Sequence, residues 1–115
     1  MNELTICSVF HSEHTKRYLE LNRKLTDSLN SRRDWSWIAI DNTPADYSGS
    51  PLNPKAFRIL RGVPFNEYVK TLEPWQDAFK TSMHLAYALN MALRQVETRF
   101  VAIIDGDLFI VRNEW

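Results

Sequence analysis

Two hydrophobic periods alternate along the chain. Leu4 to Phe10 is short, β-branched and almost unbroken in its apolar character, the pattern of a strand covered on both faces. From Ser12 or Thr15, either of which can cap, Tyr18, Leu21, Leu25 and Leu29 recur at three- and four-residue spacing. An amphipathic helix is predicted, with Lys16, Arg17, Arg23 and Lys24 among its solvated positions. Trp35 to Ile40 reads as a second strand, Asn42 to Pro54 as a loop rich in Pro, Ser, Gly, Asn and Asp, and Phe57 to Arg61 as a more exposed third strand. Pro64 to Pro74 carries no clear period. Pro74 suits the first position of a helix running to about Glu97, with a stripe of Phe79, Met83, Ala86, Leu89 or Asn90, Leu93 and Val96. Arg99 to Ile104 is the clearest strand and stops abruptly at Asp105-Gly106-Asp107, after which Leu108 to Val111 forms a further short one.

Strand, helix, strand, strand, helix, strand is an α/β pattern. Right-handed crossovers place the strands in one mostly parallel sheet with helices covering it. With the first strand central, the order is 3-2-1-4 and a topological switch point lies between strands one and four, where ligands bind at the carboxyl ends. The residues at those ends are Phe10 and His11 after strand one, Asp41 and Asn42 after strand two, and Asp105 and Asp107 after strand four.

Composition narrows the field. A chain of 115 residues makes a single domain, residues 1–115, with one core, and 44% hydrophobic against 24% charged residues is globular composition. No apolar run is long enough for a transmembrane segment. Fourteen Lys and Arg balance fourteen Asp and Glu, so no overall field draws the chain to nucleic acid. Gly49, Gly62 and Gly106 are too scattered for a dinucleotide turn or a phosphate loop. The single Cys7 excludes an internal disulfide and a cysteine-based zinc site; in its apolar run it reads as an inert core thiol, since nothing nearby would lower its pKa. With no secretory signal visible, a cytoplasmic location is expected.

An apolar strand that ends in two acids around one glycine gathers negative charge at a point where no adjacent Lys or Arg neutralises it. Carboxylate oxygens suit Mg²⁺ or Mn²⁺, which keep some waters and bridge to substrate phosphates. Asp-Gly is also ordinary turn chemistry.

The surroundings of that motif carry a resemblance. Ile38-Ala39-Ile40-Asp41-Asn42, and Ala88-Leu89-Asn90-Met91-Ala92-Leu93 followed by Arg99 to Asp107, resemble the donor-binding half of family 2 glycosyltransferases of GT-A fold. The likeness spans nearly the whole chain and is strongest from Ser82 to Trp115, where the DxD strand leads into a hydrophobic strand with Arg112 and Trp115. The resemblance implies a three-layer GT-A or Rossmann-like domain that binds a nucleoside diphosphate sugar for transfer to an acceptor it does not name. It implies Asp41 at the nucleotide base, Asp105 near the ribose and metal, and Asp107 as the principal ligand of Mg²⁺ or Mn²⁺ on the diphosphate. Phe10 and His11 match the loop lining the base pocket, and His84 a histidine that some relatives carry shortly before the Leu-Asn pair.

Departures accompany the matches. Asn42-Thr43-Pro44 stands where many relatives have a small pair, and the glycines near the start of the long helix are missing. The family's acceptor half, with its acidic base, lies downstream of the DxD strand, so the chain is expected to be an incomplete donor-binding domain with no assigned catalytic base. Two alternatives stand beside this reading. One is a non-catalytic nucleotide-binding or protein-interaction domain, able to form a homo-oligomer through exposed sheet edges. The other is a sugar nucleotidyltransferase, although Phe10-His11-Ser12-Glu13-His14 lacks the glycine-rich basic loop of that class.

Overall fold

A computed structural model of the protein describes residues 3–29 and 35–104. Its elements are β1 (Leu4–Phe10), α1 (Glu13–Leu29), β2 (Ser36–Asp41), β3 (Arg58–Arg61), α2 (Phe65–Tyr68), α3 (Lys80–Leu93) and β4 (Phe100–Ile103). All four strands pair in parallel, in the order β3-β2-β1-β4, with helices flanking the sheet. This is the α/β order expected from the crossovers, consistent with a Rossmann-like fold.

Strand alternation divides the core into two layers. On one face Ile6, Phe10, Trp37 and Ala39 pack with Leu19 of α1, and on the other Cys7, Ile38 and Ile40 pack with Ala88 and Ala92 of α3. Ser12 starts α1: its hydroxyl accepts from Thr15 N–H at 3.3 Å while Thr15 Oγ1 accepts from the Ser12 N–H at 3.0 Å. Both alternatives for the cap therefore cooperate.

The face that α1 buries differs from the expected stripe. Lys16, Leu19, Asn22 and Thr26 are buried, whereas Tyr18 and Leu21 are exposed. The helix is rotated toward its polar residues because the loop after β2 folds over its first turns and supplies oxygen partners for Lys16. Apolar period alone cannot register such partners.

The long helix is also corrected. Pro74 does open a helical segment, with the Glu73 and Gln76 side chains forming a reciprocal capping box, but Pro74–Phe79 is a 3₁₀ turn and α3 begins only at Lys80. It ends at Leu93, short of Glu97. Its buried residues are His84, Ala88 and Ala92, while Phe79, Leu85, Tyr87 and Leu93 stay exposed. Small residues face the sheet, which lets the helix backbone sit close to β1 and β2. α2 and a second 3₁₀ turn, Val69–Thr71, occupy the stretch that shows no period.

Among the described residues β4 is an edge strand. Its Phe100, Val101 and Ile103 are exposed, and its attachment to β1 continues through Ile104, whose N–H donates to Cys7 O and whose carbonyl accepts from Ser8 Oγ. Asp105, Gly106, Asp107, the expected strand Leu108 to Val111, Arg112 and Trp115 lie outside the described residues.

Candidate functional site

Parallel pairing aligns the last residues of three strands: Phe10 of β1 is level with Asp41 of β2, and Asp41 with Arg61 of β3. Above them the chain from Thr43 to Leu52 arches back toward α1. Between this arch and the strand ends lies a cleft of about 440 Å³, with Phe10, Leu52 and Ile59 as apolar walls and Asp41, Thr43, Tyr47 and Arg61 as its polar groups.

Among the described residues Asp41 is held through one oxygen. Its Oδ1 accepts from the Thr43 N–H at 2.9 Å, from the Thr43 hydroxyl, and from Arg61 Nη1 at 3.0 Å. Arg61 also donates to Asp41 O, to Thr43 Oγ1 and, through Nη2 at 2.7 Å, to Thr43 O. The guanidinium fork thus fixes the turn after β2, and Oδ2 takes part in none of these bonds. Gly62 follows Arg61 because an added Cβ there would collide with the Asn42 side chain, and its N–H donates to Asp41 O at 2.9 Å.

The arch is latched to α1 by a second network. Lys16 Nζ, on a buried side chain, donates to Ser50 O at 2.6 Å and to Ser50 Oγ at 2.9 Å, and lies 3.3 Å from Glu13 Oε2. Tyr47 donates its phenol proton to the same Glu13 carboxylate. The Tyr47 bond, helped by Arg17 and Lys16, holds the Glu13 carboxyl at about 2, and the same bond raises the Tyr47 phenol. Gly49 is required by close approach, since a Cβ there would strike the Tyr47 ring and hydroxyl and the Glu13 carboxylate.

Phe10 and Asp41 are therefore brought into one cleft. His11 is exposed at the mouth of β1, its N–H bonded to Thr15 Oγ1, and is not part of the cleft wall. His84 lies on the other layer, on α3, where Nε2 donates to Val63 O and the ring sits 5.4 Å from Phe65 and 5.1 Å from Tyr68. Asp105 and Asp107 fall outside the described residues. Among the described residues no three His, Cys, Asp or Glu side chains gather to hold a metal ion. Cys7 is fully buried and its thiol is pushed up by desolvation, as an inert core position requires.

No family model matches the chain, and no curated protein or solved structure matches it either. The site must be read from its own chemistry. Among the described residues the cleft sets apolar walls beside a carboxylate that is bound through one of its two oxygens. Among the residues that build it, Arg61, Tyr47, Glu13 and Lys16 carry no motif. Arg61 alone had a sequence signal: it ends the third strand, at the same edge where Phe10 and Asp41 end theirs.

Proposed function

We propose that the chain is the donor-binding domain of a glycosyltransferase-like protein of GT-A type, which takes a nucleoside diphosphate sugar in the cleft above β1, β2 and β3. The observation that supports it is the Asp41 carboxylate, anchored through Oδ1 by Arg61 and Thr43 beside the apolar walls of Phe10, Leu52 and Ile59. The cleft falls within the roughly 300–1,000 Å³ usual for small-molecule sites, and it lies at the carboxyl ends of β1, β2 and β3, on the β3 side of the switch point expected between β1 and β4.

In this reading Asp41 Oδ2 accepts an N–H of the base while the apolar walls exclude water from its faces. The Glu13–Tyr47 and Lys16–Ser50 bonds keep the arch in place before the ligand arrives, so less ordering is needed on binding. Asp105 and Asp107, two hard carboxylates following β4 in the chain, are the residues assigned to Mg²⁺ or Mn²⁺. When bound, such an ion would neutralise charge on a departing diphosphate. Transfer to an acceptor hydroxyl also needs a base, and no side chain of this chain is assigned that role.

A thermal-shift titration tests the reading. Uridine or guanosine diphosphate with Mn²⁺ is expected to raise the melting temperature; at a hundred times the Kd the stabilisation is about 2.7 kcal/mol. Asp107→Ala should abolish the Mn²⁺-dependent part of the shift. A shift that is unchanged in that variant removes the metal assignment, and no shift with any nucleoside diphosphate removes the reading altogether.

A further inference from the structure

Among the described residues the two rims of the sheet are finished differently. β3 carries an exposed arginine at each end, Arg58 and Arg61, and such charges keep an open edge from pairing with another chain. β4, at the other rim, is Phe-Val-Ala-Ile, with neither a charge nor a proline to protect it. The N–H groups of Phe100 and Ile104 donate inward, to Glu3 O and Cys7 O. Backbone groups alternate sides along a strand, so Val101 and Ile103 turn their N–H and C=O outward, where no described residue pairs with them.

The side chains along this rim are apolar and uncovered. Val101 and Ile103 stand level with Thr5 and Cys7, on the face that α3 covers farther in, and are 42% and 51% exposed. α3 itself packs on β1 and β2 through Ala88 and Ala92. Tyr87, on one of its flanks, meets Tyr68 of α2 at 5.5 Å on the β3 side. The other flank therefore lies toward β4, and it carries Leu85, Leu89 and Leu93 at four-residue spacing, with Leu85 and Leu93 exposed. Phe100 adds an exposed ring on the opposite face of the strand. At roughly 200 Å² for a large side chain, the uncovered parts of Leu85, Leu93, Phe100, Val101 and Ile103 come to about 450 Å². Two such surfaces give about 900 Å², the class of weak and reversible contacts.

We propose that β4 is a dimerisation edge, to which a second copy of this chain adds its own β4 in antiparallel register. The edge is complementary to itself. With Ala102 on the two-fold axis, Val101 of each copy lies opposite Ile103 of the other, and each such pair exchanges two backbone hydrogen bonds. Both are β-branched residues on the same face, so they form an apolar cross-strand pair, and the strand brings no like charges together. The leucine flanks of the two α3 helices then border the joined strands from either side. The contact is separate from the Asp41 cleft and does not depend on the reading of that cleft.

Sedimentation equilibrium is expected to show a dimer whose share grows between about 10 μM and 1 mM, the range of a weak contact. Val101→Lys with Ile103→Lys, both at exposed positions, should give a monomer with an unchanged melting temperature, because the register sets the two lysines against each other. Ala102→Cys reads the register itself. Residues facing each other across the axis in a non-hydrogen-bonded pair have Cα atoms about 4.5 Å apart, close enough for a disulfide between copies. Val101→Cys should stay reduced, since its own counterpart lies farther off, and the fully buried Cys7 does not compete. A wild type still monomeric at about 1 mM overturns the proposal, as does a lysine variant that dimerises equally well. Disulfide formation by Val101→Cys and not by Ala102→Cys overturns it too. So does a monomer whose Val101 and Ile103 amides resist exchange, because another part of the chain would then cover the edge.

Discussion

At Asp41 one carboxylate oxygen takes three bonds and the other none of them: Oδ1 builds the turn, and Oδ2 is the atom to which the proposed function gives the base contact. Asp41→Asn can keep the amide oxygen on Thr43 and Arg61 while replacing the second acceptor by a donor. It is expected to stay folded and to bind a nucleoside diphosphate at least about tenfold more weakly, the loss of a buried hydrogen bond, measured by calorimetric titration. Wild-type affinity in this variant would remove Asp41 from the base contact. Glu13 gives a different test. Its carboxyl titrates at about 2 in the folded protein, below the ordinary 4.5, so the Tyr47 and Arg17 bonds add stability that is present above pH 4.5 and lost as pH falls toward 2. Urea midpoints followed across that window should fall in the wild type and fall less in Glu13→Gln.

At the scale of elements, the loop after β2 owes its position to a helix. A lysine on the buried side of α1 would be costly by itself, and it is compensated by Ser50 and Glu13. Lys16→Met keeps much of the stem's packing and removes the ammonium group. Amide exchange in residues 43–52 is expected to quicken, while the β1 amides that pair with β2 and β4 stay protected; unchanged exchange in the loop would show that the lysine does not latch it. Asp41 and its strand end were legible in sequence because an acid closing an apolar run is a local signal. The Lys16–Glu13–Tyr47–Ser50 network was not, since its members stand 34 residues apart and join only when the loop folds back. The regular apolar spacing on α1 pointed to Tyr18 and Leu21, and the tertiary partners of Lys16 outweighed it.

Across the whole molecule, burial is concentrated in the middle of the sheet. Ile6 and Ile40 are fully buried, whereas Ile103 on β4 is 51% exposed. Ile6→Ala should cost about 2–5 kcal/mol of unfolding free energy, and Ile103→Ala less than half as much, read from denaturant midpoints; equal costs would place the core elsewhere. The sequence by itself determined the α/β class and a parallel sheet, because apolar runs and right-handed crossovers are properties of chain segments and their connections; the order 3-2-1-4 followed on taking β1 as central, where the structure has it. It also marked Phe10 and Asp41, which end their strands. Only the tertiary structure decided which faces of α1 and α3 turn inward and that Arg61 completes Asp41. Those features depend on which distant side chains meet, and a hydrogen bond or an ion pair leaves no period in the sequence of either partner.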